Sequence, residues 1–170
     1  FKPDRVEGKI ALFGTSAKGL CRLHPDGTPD YIFNPAGLST SAGMAAIAFG
    51  QYDATLGGPR LYVAGPLATY FSTSLRAGII CIRPDGTTDP SFQVGDGTLA
   101  ALGGSVSEEN RAVAVQADGK ILLGGNFGAF NTSAKPNIVR LNPNGSVDES
   151  FTAPSFGSSS VVLIFSLLVQ

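Results

Sequence analysis

The sequence predicts an all-β fold of repeated antiparallel hairpins, and three observations carry that prediction. One hairpin motif recurs three times without gaps. The 170 residues include 22 glycines and 11 prolines, which favour turns. Only 15% of residues are charged, too few for the polar faces of amphipathic helices. With 43% apolar residues the chain can fill a core, which excludes a disordered segment. Its net charge of −1 argues against a nucleic-acid footprint and against an acidic tail.

The motif occupies residues 21–33 (CRLHPDGTPDYIF), 80–92 (ICIRPDGTTDPSF) and 139–151 (VRLNPNGSVDESF). Its proline, glycine, aspartate and phenylalanine each recur at steps of 59 residues: Pro25, Pro84 and Pro143; Gly27, Gly86 and Gly145; Asp30, Asp89 and Asp148; Phe33, Phe92 and Phe151. Proline presets φ at the first central turn position, Asp or Asn suits the next, and glycine takes the left-handed conformation that closes a type I turn with a bulge. The flanks are therefore strands. Counting outward from the turn sets Arg22 opposite Asp30 and Arg140 opposite Asp148 as cross-strand ion pairs. In the middle copy Cys81 stands where the others have arginine, so there the pairing is lost or shifted to Arg83.

A second hairpin precedes each of these. It is clearest at 112–125 (AVAVQADGKILLGG), where Asp118-Gly119 marks a turn between two apolar runs. Its counterparts are 7–14 (EGKIALFG) and 59–65 (PRLYVAG), with 52–58 lengthening the turn of the second copy. Residues 44–49 are alanine-rich, but glycines bracket them and the repeat predicts a strand. Four short strands per unit at a fixed period is the pattern of a β-propeller blade. The fold class is thus an all-β propeller segment of about three four-stranded antiparallel blades with a 59-residue period, permuted by one strand. Residues 1–170 form one partial propeller: 1–33 a blade lacking its first strand, 44–92 and 111–151 complete blades, and 161–170 the first strand of a further or closing blade. Propellers close with roughly four to eight blades, so two blade faces should be bare. A fragment, an oligomerising piece or a part docked on something larger is expected.

At 112–127 (AVAVQADGKILLGGNF) and 138–151 (IVRLNPNGSVDESF) the sequence resembles the delta-60 repeat family, bacterial β-propeller repeats of undefined function. The resemblance implies a large secreted or surface protein in which propellers serve as scaffold or binding modules. It transfers no active site.

Little else in the sequence carries chemistry. Asp26/Asp30 and Asp85/Asp89 have the residue types of a calcium loop, but one or two carboxylates are too few for a closed shell and Asn144 replaces one in the third copy. Phe33, Phe92 and Phe151 read as packing between blades. His24 is the only histidine and reads as a turn residue. The glycines at 95–97 and 103–104 lack the lysine and helix of a phosphate loop. Asn131-Thr-Ser and Asn144-Gly-Ser fit the N-glycosylation pattern, which is idle in a bacterial protein. Cys21 and Cys81 read as free thiols, since equivalent outer strands lie farther apart than a disulfide spans. The acids outside the turns, Asp4, Asp53, Asp96, Glu108 and Glu109, show no repeated or paired placement.

One candidate binding face remains. Tyr70, Phe71 and Thr73 are set against Phe130, Asn131 and Thr132 in loops between the second and third strands, where Phe71 and Phe130 are again 59 apart. These loops share a face with the connections 35–43, 93–110 and 152–160. Exposed aromatics with hydroxyls there would suit a protein partner or a glycan, unless the phenylalanines plug the blade top.

The expected function is therefore a non-catalytic scaffold or protein-interaction module of a secreted or surface-located bacterial protein, outside the cytoplasm, with no cofactor and no metal. A partner or self-association would complete the open propeller. The alternatives are a glycan-binding, lectin-like propeller and a propeller hydrolase or lyase. No nucleic acid is expected. The longest apolar run, 161–169, is about half the ~20 residues of a membrane-spanning helix, so no transmembrane segment is expected.

Overall fold

A computed structural model describes residues 10–13, 20–31, 33, 39–40, 46–65, 67–70, 73–74, 78–99, 109–154 and 164–170. All regular elements among these are strands, and every pairing is antiparallel. β1 (Ile10–Phe13) pairs with β2 (Leu20–Leu23). Next come β3 (Ser39–Thr40), β4 (Ala46–Asp53), β5 (Gly58–Ala64), β6 (Leu67–Tyr70), β7 (Thr73–Ser74) and β8 (Ile79–Ile82). They form a main sheet in the order β4-β5-β8 and a small one in the order β3-β6-β7. β9 (Thr98–Leu99), β10 (Glu109–Val115), β11 (Ile121–Asn126), β12 (Ala129–Phe130), β13 (Ser133–Ala134) and β14 (Ile138–Leu141) repeat the plan, as β10-β11-β14 and β13-β12-β9.

The three Pro-Asx-Gly turns close as their residues require. Gly27, Gly86 and Gly145 have φ of 85°, 92° and 89°, a region in which any other residue is strained. In each, the glycine N–H donates to the carbonyl three residues back at 2.9 Å. The Oδ1 of Asp26, Asp85 or Asn144 accepts from both the amide and the hydroxyl of the residue two positions on, Thr28, Thr87 or Ser146. That oxygen is spent on the turn, which is the structural role of the acids whose residue types suggested a calcium loop.

The fourth strand of each repeat is shorter than the sequence predicts. Beyond the turn only single bridges form, Leu23↔Pro29, Ile82↔Thr88 and Leu141↔Val147. In the second and third repeats the repeated aspartate marks the end: Asp89 and Asp148 accept from the amide and hydroxyl of Ser91 and Ser150. Residues 46–49 are strand, as the repeat predicts. The β4-β5 turn is tighter than expected, because both strands extend through a bulge between Phe49 and Tyr52 and leave only residues 54–57 as turn.

Alternation along the main sheets builds two cores. Leu61 and Val63 of β5 and Ile80 and Ile82 of β8 pack with Leu20 and Phe33 of the first repeat. The intervening Tyr62, Ala64, Ile79 and Cys81 pack with Val113, Ile121, Leu123 and Val139 of the third. The middle sheet is thus apolar on both faces, which explains the unbroken Ile-Ile-Cys-Ile of β8. β10 lies against β4 and β5. On the far side of the third sheet Gly124 is so closely approached that an added Cβ would sit 2.7 Å from Ile164 Cγ2. Of residues 161–170, predicted as a first strand, 161–163 lie outside the described residues and 164–170 carry no strand. Among the described residues no helix is long and apolar enough to cross a membrane.

Candidate functional site

The ion pairs predicted from the repeat are present. Arg22 Nε donates to Asp30 at 2.8 Å and Arg140 Nε to Asp148 at 2.7 Å. Each guanidinium also covers the repeat phenylalanine, Arg22 at 4.5 Å from the Phe33 centroid and Arg140 at 4.9 Å from that of Phe151. Asp, Arg and Phe therefore form a structural clasp at the sheet's outer edge. The Ser150 hydroxyl and then Lys120 hold Asp148 well below the usual carboxylate range against the opposing effect of burial.

The middle repeat is built differently. Strand register places Arg60 where the third repeat has Lys120, Tyr62 where it has Leu122, and Cys81 where it has Arg140. With the strand arginine gone, Arg60 takes over from the neighbouring strand. Its Nε donates to Asp89 at 2.6 Å and its Nη1 to Asp53 at 2.8 Å. Arg83 reaches Asp89 only at 3.4 Å, so the pairing shifts chiefly to Arg60 rather than to Arg83. Tyr62 fills the space left by the arginine, and its ring meets Phe92 edge-on at 5.4 Å. Burial pushes the Tyr62 hydroxyl up, and burial with the nearby Asp89 charge pushes the Cys81 thiol to about 12. Both cysteines are free, Cys21 exposed and Cys81 buried.

β6 pairs with β3 and β12 with β9, so in the second and third repeats the loops after the second strands are stitched to the connections that precede the repeat. Tyr70 and Thr73 lie in β6 and β7, and Phe71 lies outside the described residues. Phe130 is not a ligand platform, because its ring is fully buried in the core between the second and third sheets. Asn131 is committed to the fold: at φ 51° it accepts from the Gly97 amide at 2.8 Å and donates its own to the Gly97 carbonyl at 2.6 Å. Of this set Thr132 is exposed.

A cavity of about 310 Å³ lies at the opposite end of the sheets, between the β4-β5 hairpin and the turns of the third repeat. One wall is Gln51, Tyr52 and Asp53, with Arg60 and Tyr62 behind; Val115, Gly119 and Pro143 face them. Gln51 Nε2 donates to the Ala117 carbonyl and clips the two hairpins together. Asp53 accepts from Thr55 as well as Arg60 and is lowered chiefly by the Thr55 hydroxyl. Asp53 is therefore paired, which its isolated place in the sequence did not suggest. The signal that could have found this site is the set of departures from the repeat at 52–58, 60, 62 and 81. Among the described residues no group of three or more His, Cys, Asp or Glu could hold a metal ion.

The family described as "Domain of unknown function (DUF5122) beta-propeller" matches residues 60–92 and 116–151. These segments cover β5 from Arg60 onward through β8, and β11 to β14, with their repeat turns. No curated protein and no solved structure matches the chain. The match supports a β-propeller repeat family of unknown function, in agreement with the all-β, antiparallel architecture.

Proposed function

We propose that the chain is a segment of about three propeller blades, permuted by one strand, that serves as a non-catalytic scaffold or protein-interaction module. The observation that carries the reading is the middle sheet, which is buried on both faces by two separate cores. Sheets stacked in this way need a further sheet on each side, and the outermost faces then become joining surfaces. On the third sheet's outer face Phe165 is 63% and Leu168 87% exposed. A low charge fraction and the resemblance to delta-60 repeats favour a secreted or surface location in a bacterial assembly. A partner protein or further copies would complete the ring. Light scattering and native mass spectrometry of the 170-residue chain test this, with self-association or partner capture expected. A monodisperse, stably folded monomer of 17.5 kDa would refute it.

A further inference from the structure

The departures of the middle repeat from its neighbours converge on one place. The extended β4-β5 hairpin contributes Gln51, Tyr52 and Asp53 to the cavity, and the replaced positions Arg60 and Tyr62 line it. Cys81, the third replaced position, is the cross-strand partner of Tyr62. Fold maintenance alone does not require this set, since the third repeat packs with Lys120, Leu122 and Arg140 and a compact turn.

The chemistry of the lining selects a ligand class. Arg60 already faces two carboxylates, Asp53 and Asp89, so the cavity offers no uncompensated positive charge to an anion. The same guanidinium occupies both carboxylates against a cation. What remains is hydrogen bonding from fixed polar groups beside an aromatic ring, Tyr52, that is 63% exposed at the rim. Val115 and Pro143 supply an apolar wall. A neutral ligand with an apolar face and a rim of hydroxyls fits this arrangement. A volume of about 310 Å³ suits a small molecule.

We infer that this cavity is a binding site for a neutral sugar, which stacks on Tyr52 and hydrogen-bonds to Asp53 and Arg60. The site lies at the end of the sheets opposite the loop face and does not depend on how the ring is closed. Titrating the full chain with the methyl glycosides of glucose, galactose and mannose, read by saturation-transfer NMR and calorimetry, tests it. Binding of at least one in the roughly millimolar range is expected, as for a small, shallow site. Tyr52→Ala and Asp53→Asn should each weaken it by roughly tenfold or more, whereas Tyr31→Ala, at an 87% exposed position elsewhere, should not. Because Tyr52 is exposed, its variant keeps the fold, and an unchanged circular dichroism spectrum verifies this. The inference is overturned if none of the three glycosides binds, or if binding is the same in both cavity variants as in the parent.

Discussion

Replacing Asp89 with asparagine probes how the middle repeat survives without its strand arginine. The carboxylate accepts from Arg60 Nε at 2.6 Å, from the Ser91 hydroxyl at 2.7 Å and amide at 3.0 Å, and from Arg83 Nη2 at 3.4 Å. Burial raises its pKa, but the bonds from Arg60 and Ser91 outweigh that and hold it at about 2 rather than 3.8. At about 1.4 kcal/mol per tenfold, the difference sets a ceiling of about 2.5 kcal/mol on what the ionised group contributes. The Arg60 and Arg83 side chains are 27% and 34% exposed, and solvent screening removes about half, leaving about 1 kcal/mol. Since the folded-state pKa lies below the unfolded one, this stabilisation is complete above 3.8 and is lost as the pH falls through about 2. Urea unfolding of parent and Asp89→Asn near neutrality and again at about pH 2 should show a gap of about 1 kcal/mol that shrinks in acid. A gap of equal size at both pH values, or none near neutrality, would show that the charge is not what binds this edge.

Four further outcomes follow from the geometry. In the native chain one thiol, Cys21, should react promptly with Ellman's reagent, and the second should appear only after unfolding, because Cys81 is buried with its thiol at about 12. Gly27→Ala should cost only the backbone strain of a positive φ, about 1–2 kcal/mol, since nothing lies within 4 Å of the added carbon. Gly145→Ala should cost about 1–3 kcal/mol more in chemical denaturation, because its Cβ would sit 2.8 Å from the Gln93 carbonyl. Phe130→Ala should destabilise by about 3–5 kcal/mol, as measured by thermal and urea unfolding of a ring that has no exposed surface; a variant as stable as the parent would return Phe130 to the loop face.

The local rules of the repeat were legible because they act between neighbours in sequence. Proline, Asx and glycine set each turn with bonds of two or three residues' reach, and the pairing of Arg22 with Asp30 followed from counting outward from that turn. Other features depended on contacts between sheets. Phe130 and Phe71 share a repeat position, yet nothing local says that the first is closed over by the neighbouring sheet; its burial comes from the core between the second and third sheets. In the second and third repeats the fourth strand ends at an aspartate whose amide still pairs across the hairpin but whose side chain accepts from the serine amide two residues on. The cavity is a tertiary product: Arg60 and Asp53 join across a hairpin, and Val115, Gly119 and Pro143 reach them only because a second sheet stacks alongside. The sequence by itself determined the strands of the main sheets, the turns and the charge pairs of the first and third repeats, whose partners are set by register. The tertiary structure alone decided which side chains are covered and which line a cavity, because burial is a property of the sheets stacked against each other.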